Sequence, residues 1–545
     1  MKILSLFISK YKNIPEKEIC FDTDLTSLII GQNGLGKSNL LEAITLIFVA
    51  ISNKDKEVNF LNFEGKFFSF RISYLLRGKQ IEISYGIENL YQINIVNGSF
   101  KVTFEPGSGF ELDMIGKINE ELVPDYFVTY YSGQNRRLEK ILKNFEINYF
   151  DGLKRNKDNS ALTSRRKFLY LKNYHAPILL LTLSIFKDFE KNGSKIYEKQ
   201  IVDLFKHLNI STLESFTLNV KSPYWINNSY KQNMREDDKL KMGHVSYIHT
   251  SLENPNKYPF PFWNLKSSIN KLFHALVKSV DVFPFSNEDE ISKNIDFKEF
   301  IDFNGVEIKT LQKYIFNEFD SPLELFYTIE ALSLLDIVDF ENDLKFEIKK
   351  QQSTDLTFDL LSEGENQLLI VLGIVLITGS DETLCLLDEP DTYLNPKWQR
   401  EYVQLLESFN LEDDDSHVIV TTHSPLLVQN MEGESNYKYD LILLYRNEDG
   451  NVVFDQDKGL IKNWRIDQVL SSKYFDLVST RPKSLDVFMK KRLEIIRRGN
   501  LTAADRQELE VIENEMGFLP TGETILEIES QAIIKDIADL KRGSI

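Results

Sequence analysis

Cysteine, histidine and long apolar runs are all scarce in this chain, and each scarcity closes off a class of protein. Its 545 residues include 2 cysteines, Cys20 and Cys385, both in apolar strand-like surroundings and without CxxC spacing. That excludes a disulfide framework and a cysteine-built zinc site, and makes a reducing, cytoplasmic setting the expectation. The 7 histidines are scattered, with no HxxxH, HxH or HNH spacing beside carboxylates, so no nuclease centre of the chain's own is legible. The longest apolar run, Leu368 to Ile377, is about half of what a bilayer span needs, and no membrane partner is expected. The apolar stretch MKILSLFISK is too short for a signal peptide and is read as a folded strand. Positive charge is in deficit as well: 64 Lys and Arg stand against 82 Asp and Glu, a formal net charge of −18. A basic coat for indiscriminate nucleic-acid binding is ruled out, and any such contact must be local. Internal repeats and sustained heptads are also lacking, which argues against solenoids and a long coiled coil.

What is present is an interrupted α/β pattern, long enough for two or three cores or one large core with insertions. Residues 2–8 and 27–30 read as strands, and Lys37 to Ser52 as a helix with one apolar face. From Phe67 to Phe104 the sequence alternates and is rich in aromatics, with turn signals at Arg77-Gly78 and Asn97-Gly98, the pattern of antiparallel hairpins. Residues 140–340 read as a helical insertion broken by prolines. The α/β pattern then resumes with a strand at 343–349, a helix at 362–378, a strand at Leu384–Leu387, a helix near 397–409 and a strand at Val418–Thr421. A hairpin follows from about 440, then a charged helical tail. The expected division is 1–139 and 341–464 as two parts of one head, 140–340 as the insertion, and 465–545 as the tail.

The segment GQNGLGKS at 31–38 fits the phosphate-binding pattern G-x-x-x-x-G-K-[ST], between a strand and a helix as that pattern requires. Gly31, Gly34 and Gly36 let the backbone turn its N–H groups toward phosphate oxygens. Lys37 supplies charge to the β- and γ-phosphates, the Ser38 hydroxyl is placed to ligate Mg²⁺, and the helix start adds its dipole. Downstream, the apolar strand Leu384–Leu387 ends in Asp388-Glu389. An acid there orders Mg²⁺, which assigns Asp388 to the metal and Glu389 to the attacking water as general base. Ser362 is a good N-cap, and Gly364 permits close backbone approach at a helix start that can face phosphate.

In this order the motifs resemble the ABC-type ATPase heads, including their SMC and RecF-like branch. That family combines GxNGxGKSN, a signature near LSxGE, an acid pair, a D-loop and a late histidine. The corresponding residues are Gly31–Asn39, Leu361-Ser362-Glu363-Gly364-Glu365, Asp388-Glu389, Asp391 and His423. The resemblance implies an α/β head, a P-loop mixed sheet plus an antiparallel β subdomain, that binds ATP and Mg²⁺. It implies nucleotide contacts from Asn33, Gly34, Gly36, Lys37, Ser38, Asn39, Gln134, Ser362, Gly364, Glu365 and Asp391. It makes Lys37, Glu389 and His423 catalytic, and Ser38, Asp388 and the Q-loop candidate Gln134 metal ligands. One phosphate loop and one signature per chain imply that two copies complete each other's sites, as a homodimer or a larger even-numbered assembly.

Glu363 stands where the transporter signature has glycine, which favours the SMC and RecF-like branch. Length, the YYSGQNRRLE segment and the tail resemble the PtuA-type ATPases of Septu and retron anti-phage loci. That likeness implies control of a separate HNH nuclease and, in retron loci, a reverse transcriptase–msDNA complex; slow turnover is the expectation if ATP acts as a state signal. A RecF-type repair ATPase is the alternative, with Arg165-Arg166-Lys167 or the Lys490–Arg498 run as DNA contacts, although charge runs are usually solvated helix faces. A fused TOPRIM nuclease would have to use Glu432, Asp455 and Asp457, too close together for that domain. In the tail, Leu485, Phe488, Leu493, Ile496 and Ile525, Ile528, Ile533, Ile537 recur at helical spacing, for packing on the head or on a partner.

Overall fold

The computed structural model describes residues 1–21, 26–52, 68–87, 90–95, 100–104, 122–133, 136–155, 166–191, 193–221, 267–280, 300–350, 353–356, 361–379, 381–409, 416–429, 440–456, 464–472, 474–475, 477, 483, 486–498, 502–516, 528–530 and 533–534. The chain divides into two compact units, Met1–Lys458 and Gly459–Ile545.

The first unit opens with β1 (Lys2–Ile8), β2 (Lys17–Cys20), β3 (Thr26–Gly31) and α1 (Lys37–Ser52). The hairpin strands β4 (Phe70–Leu76), β5 (Lys79–Ile87), β6 (Leu90–Ile95) and β7 (Phe100–Phe104) follow, then β8 (Tyr126–Tyr131) and α2 (Arg137–Arg155). Next come β9 (Phe168–Tyr170), α3 (His175–Phe186), β10 (Glu190–Lys191), β11 (Ser194–Lys195), α4 (Glu198–His207) and β12 (Ile210–Lys221). After α5 (Ser267–Ser279) stand β13 (Phe300–Glu307), α6 (Ile308–Ile315), α7 (Pro322–Leu334), β14 (Leu344–Lys350) and β15 (Ser353–Leu356). The unit ends with α8 (Glu363–Thr378), β16 (Thr383–Asp388), α9 (Pro396–Phe409), β17 (Ser416–Thr422), α10 (Leu426–Gln429), β18 (Asp440–Arg446) and β19 (Val452–Gln456).

The fold is α/β, with a parallel-rich sheet beside an antiparallel one. The seven-stranded sheet runs β19-β18-β3-β17-β16-β8-β9 and is parallel except at β19. Its central strands β3, β16 and β17 are buried at every position, which is why their centres, Leu28–Ile30, Leu384–Leu387 and Val418–Val420, read as continuous apolar runs. The antiparallel sheet runs β2-β1-β4-β5-β6-β7. Its β4–β5 turn places Arg77 and Gly78 at φ 50° and 71°, as a two-residue hairpin turn demands; Asn97-Gly98 lies outside the described residues. Helix α1, buried over Leu40–Ile51, joins Ile3, Leu6, Tyr74 and Phe127 in one core. Helix α8 is buried all round from Gln367 onward and packs on the wholly buried α3, where Gly373 faces Leu179.

The stretch 140–340, expected as helical, carries α2–α7 but also strands. β9 extends the parallel sheet, and β12 pairs with β13 and with β14 in a sheet ordered β13-β12-β14-β15. The expected boundary at 340 therefore falls inside a sheet. The reason is visible in β12, where Phe216, Leu218 and Val220 alternate with polar residues at period two. The suggested DNA-binding run also fails at its centre: Arg166 is buried and ion-paired with Glu330, so it cannot meet phosphate. Arg165, Glu432 and Asp457 lie outside the described residues.

In the second unit, α11 (Ile466–Leu470), α12 (Asp486–Arg498) and α13 (Ala503–Met516) are helical. Asp505 ties α12 to α13, accepting from Thr502 and pairing with Lys491 and Arg498, so two cations of the 490–498 run are already engaged. Phe488 and Ile528 are buried as their spacing suggests, whereas Ile533 is exposed.

Candidate functional site

In a parallel sheet the C-terminal ends of adjacent strands open onto one edge, where loops from distant sequence become neighbours. Here β17 lies between β3 and β16. The loop after β3, the acids at the end of β16 and the histidine after β17 are thereby brought side by side.

The loop itself is shaped by its glycines and by Asn13. Gly34 and Gly36 have φ of 78° and 107°, conformations open to glycine at little cost. Asn13 Nδ2 donates to the Gly34 carbonyl at 2.6 Å, and Asn39 Nδ2 donates to Asn13 Oδ1 at 2.5 Å. Asn33 is exposed at the tip. Lys37 is 4% exposed and folds back to donate to the carbonyls of Gly31 at 2.7 Å and Gln32 at 3.1 Å. Burial lowers its pKa to about 8, against the raising effect of Glu389, Asp388 and Asp391.

The Lys37 Nζ stands 3.0 Å from both ring nitrogens of His423, and His423 Nε2 is 2.7 Å from Glu389 Oε1. The tautomer that satisfies both neighbours carries its proton on Nε2, donating to Glu389, and accepts from Lys37 on Nδ1. The bond from His423 is the main reason the Glu389 carboxyl sits below its ordinary pKa. A carboxylate is thus held ionised beside a buried ammonium.

Glu389 has φ 52°, in a region that costs a side-chain-bearing residue about 1–3 kcal/mol and persists only where surroundings impose it. They do so here. Its N–H donates to the Thr421 carbonyl at 2.9 Å, and its carbonyl accepts from Thr392 N–H at 3.3 Å and Thr392 Oγ1 at 2.9 Å.

Asp388 is 2% exposed and accepts from the Thr421 hydroxyl and from Ser38. Burial holds its carboxyl above the ordinary value. The Ser38 hydroxyl and Asp388 carboxylate are adjacent hard oxygens, a set that fits Mg²⁺, which takes one or two protein oxygens and fills its shell with water and phosphate. Among the described residues no group of three His, Cys, Asp or Glu side chains could form an all-protein metal cage. Asp391 accepts from Thr422 Oγ1 at 2.9 Å, while its Oδ1 is buried without a partner. Burial raises its pKa to about 6.

Ser362 caps α8 in a reciprocal capping box: its Oγ accepts from Glu365 N–H at 3.2 Å, and Glu365 Oε2 accepts from Ser362 N–H at 2.7 Å. Glu365, expected to touch nucleotide, is therefore engaged in the cap. Gly364 lies so close to the 389–393 turn that a Cβ would sit 2.5 Å from the Tyr393 carbonyl oxygen. The structure thus groups Lys37, Ser38, Asp388, Glu389, Asp391 and His423, and sets Ser362, Gly364 and Glu365 at the helix start packed on that turn. Gln134 lies outside the described residues. Gln367, a buried polar side chain at the head of the apolar run Leu368–Ile377, was not singled out by the sequence; its signal is that α8 is buried all round from that position onward.

Residues 146–429 match the family described as AAA domain, putative AbiEii toxin, Type IV TA system. The match takes in α8, the acid pair and His423, and begins after the phosphate loop. Among curated proteins, the Septu protein PtuA of Bacillus mycoides (strain KBAB4) is 30% identical over 108 residues, 20% of this chain and 14% of that protein. The DNA replication and repair protein RecF of Phocaeicola vulgatus is 27% identical over 173 residues, 31% of this chain and 45% of that protein. The chain thus spans less than half the length of either relative. Among solved structures, the recombination mediator protein RecF-ATPrS is 16% identical at a TM-score of 0.27, covering 83% of this chain and 97% of that one. An Smc head domain from Pyrococcus furiosus, bound to the C-terminal domain of ScpA, is 14% identical at a TM-score of 0.33, covering 84% and 96%. At such scores these two likenesses add nothing to the fold described above.

Proposed function

The chain belongs to the AAA-domain family described as putative AbiEii toxin, Type IV TA system, and from that premise we propose that it binds and hydrolyses ATP at the edge where β3, β17 and β16 end. The observation that carries this reading is the line from Lys37 through His423 to Glu389 beside a glycine loop. The loop N–H groups and Lys37 hold the β- and γ-phosphates. Ser38 and Asp388 would hold Mg²⁺, which when bound offsets phosphate charge. Glu389 takes a proton from water as the water oxygen attacks the γ-phosphorus. The bond from that phosphorus to the β–γ bridging oxygen breaks, leaving ADP and phosphate. His423 keeps Glu389 ionised and aimed.

Each chain carries one phosphate loop and one capped α8 start, so two copies meet head to tail, each offering Ser362 and Gly364 to the other's γ-phosphate. The wider role is control of a separate effector in anti-phage defence, an HNH nuclease being the partner that the similarity to the Septu protein PtuA supports; a retron reverse transcriptase–msDNA complex is a further partner of that reading. The similarity to RecF supports a second reading, a repair ATPase that itself contacts DNA.

The test is light scattering with and without ATP and Mg²⁺ for wild type and Glu389→Gln. An ATP-dependent dimer, or larger even assembly, that accumulates in the variant is expected. Monomers throughout would remove the paired mechanism. Co-purification with an HNH nuclease, lost on deleting 481–545 while ATP binding survives, separates the defence reading from direct DNA binding.

A further inference from the structure

Gln367 is 2% exposed, in the second turn of the helix that Ser362 caps. Its amide meets three residues on two separate parts of the chain. Nε2 donates to the Tyr130 hydroxyl at the end of β8 at 3.3 Å and to the Glu389 carbonyl at 3.5 Å. Oε1 accepts from the Tyr393 N–H at 3.1 Å. Residues 389 and 393 are the two ends of the turn that carries the acids Glu389 and Asp391, so one side chain on α8 grips that turn at both ends. The close approach of Gly364 to the Tyr393 carbonyl presses the same helix on the same turn.

Resting on the reading of this site as an ATPase, we propose that Gln367 is a positioning residue for hydrolysis, locking the 389–393 turn to the helix whose start faces the partner's nucleotide. Glutamine suits the place because it donates and accepts at once. Glutamate, ionised, would bring a second acceptor against the Glu389 carbonyl. Leucine would leave the Tyr393 N–H and the Tyr130 hydroxyl without this partner. Glu389 stands at φ 52°, where the backbone needs imposed contacts, so a turn released at Gln367 lets its carboxylate swing from the attacking water. The link also joins two functions on one chain: the helix start that clasps the partner's phosphate and the acid that acts on the chain's own.

The experiment measures steady-state ATP turnover, KM and ATP-dependent assembly for wild type, Gln367→Leu and Glu389→Gln. Gln367→Glu, of the same size, replaces Gln367→Leu if thermal unfolding shows that variant misfolded. The expected result is a kcat at least tenfold below wild type, with KM within twofold and ATP-driven assembly retained, as in Glu389→Gln. A kcat within twofold of wild type overturns the positioning role and leaves the ATPase reading intact. So does a parallel loss of ATP affinity and kcat, which marks a purely structural residue. Absence of turnover in wild type overturns the ATPase reading, and this inference with it.

Discussion

Lys37 and His423, 386 positions apart, meet with the lysine Nζ 3.0 Å from the imidazole Nδ1. The contact exists because β17 is the strand between β3 and β16, so the residue that follows β17 adjoins both the phosphate loop and the acid pair. It also places an ammonium where burial taxes its charge.

With its pKa lowered to about 8, Lys37 is charged at neutral pH and loses its proton as pH climbs past that value. Affinity for a non-hydrolysable ATP analogue is expected to fall between pH 7.5 and 9.5, by up to about tenfold per pH unit once Lys37 is neutral. Lys37→Arg, whose charge persists, should flatten that profile in a fluorescence titration. The stability sign is opposite. The folded pKa lies below the unfolded one, so between about 8 and 10.4 the unfolded chain binds more protons and stability rises with pH. Lys37→Met, which removes the charge, should therefore raise the Tm at pH 7.

Asp391 titrates the other way. Its folded value of about 6 exceeds an unfolded value of about 3.9, so the folded state holds more protons in that window and stability falls as pH rises through it. Asp391→Asn keeps an acceptor for Thr422 and removes the buried charge. Urea unfolding at pH 7.5 should show the variant more stable by about 1–3 kcal/mol, a gain that disappears by pH 4. An equal difference at both pH values would mean that the charge is not the cause.

Gly364→Ala places a methyl group 2.5 Å from a backbone oxygen that has no side-chain freedom to move aside. A loss of about 1–3 kcal/mol in thermal or urea unfolding is expected. Nucleotide binding by the single chain should survive, because the phosphate loop is untouched, while ATP-driven assembly measured by light scattering should fail. Assembly at wild-type levels would separate the helix start from the interface.

Far from the acid pair in sequence, Glu330 is fully buried between Arg166 and His175, with His175 Nε2 at 3.1 Å. Burial raises its pKa, and Arg166 with His175 more than reverses that, to about 2. Glu330→Ala leaves the buried Arg166 guanidinium, among the described carboxylates, with only the longer 3.8 Å approach to Glu146 and should cost about 3–5 kcal/mol in urea unfolding. Glu330→Gln, which still accepts from both neighbours, should cost less. Equal losses would assign the effect to packing.

Much of this was legible in the residues. The glycine loop declares itself because glycines adopt its φ values at little cost, and a buried parallel strand has a continuous apolar centre, so Leu28–Ile30, Leu384–Leu387 and Val418–Val420 and the acids that follow β16's apolar run could be read off directly. The start of α8 was announced by Ser362, a good N-cap before an apolar run, whereas the engagement of Glu365 in the cap came only from the structure. Less legible were the strands β9, β12 and β13 within 140–340, because a strand's partner is chosen by tertiary packing and local helical signals around it mask a short period-two pattern.

By itself, then, the sequence determined the local chemistry: which backbone could cradle phosphate, which strand ended in acids, where a helix was capped, and that no run was long and apolar enough to span a bilayer. Only the tertiary structure decided strand order, which set His423 between Lys37 and Glu389, turned Arg166 from a surface cation into half of a buried ion pair, and made Gln367 a clamp on the 389–393 turn. Those relations depend on non-local contacts between side chains that share no periodicity, and such contacts exist only once the sheet and its helices have packed.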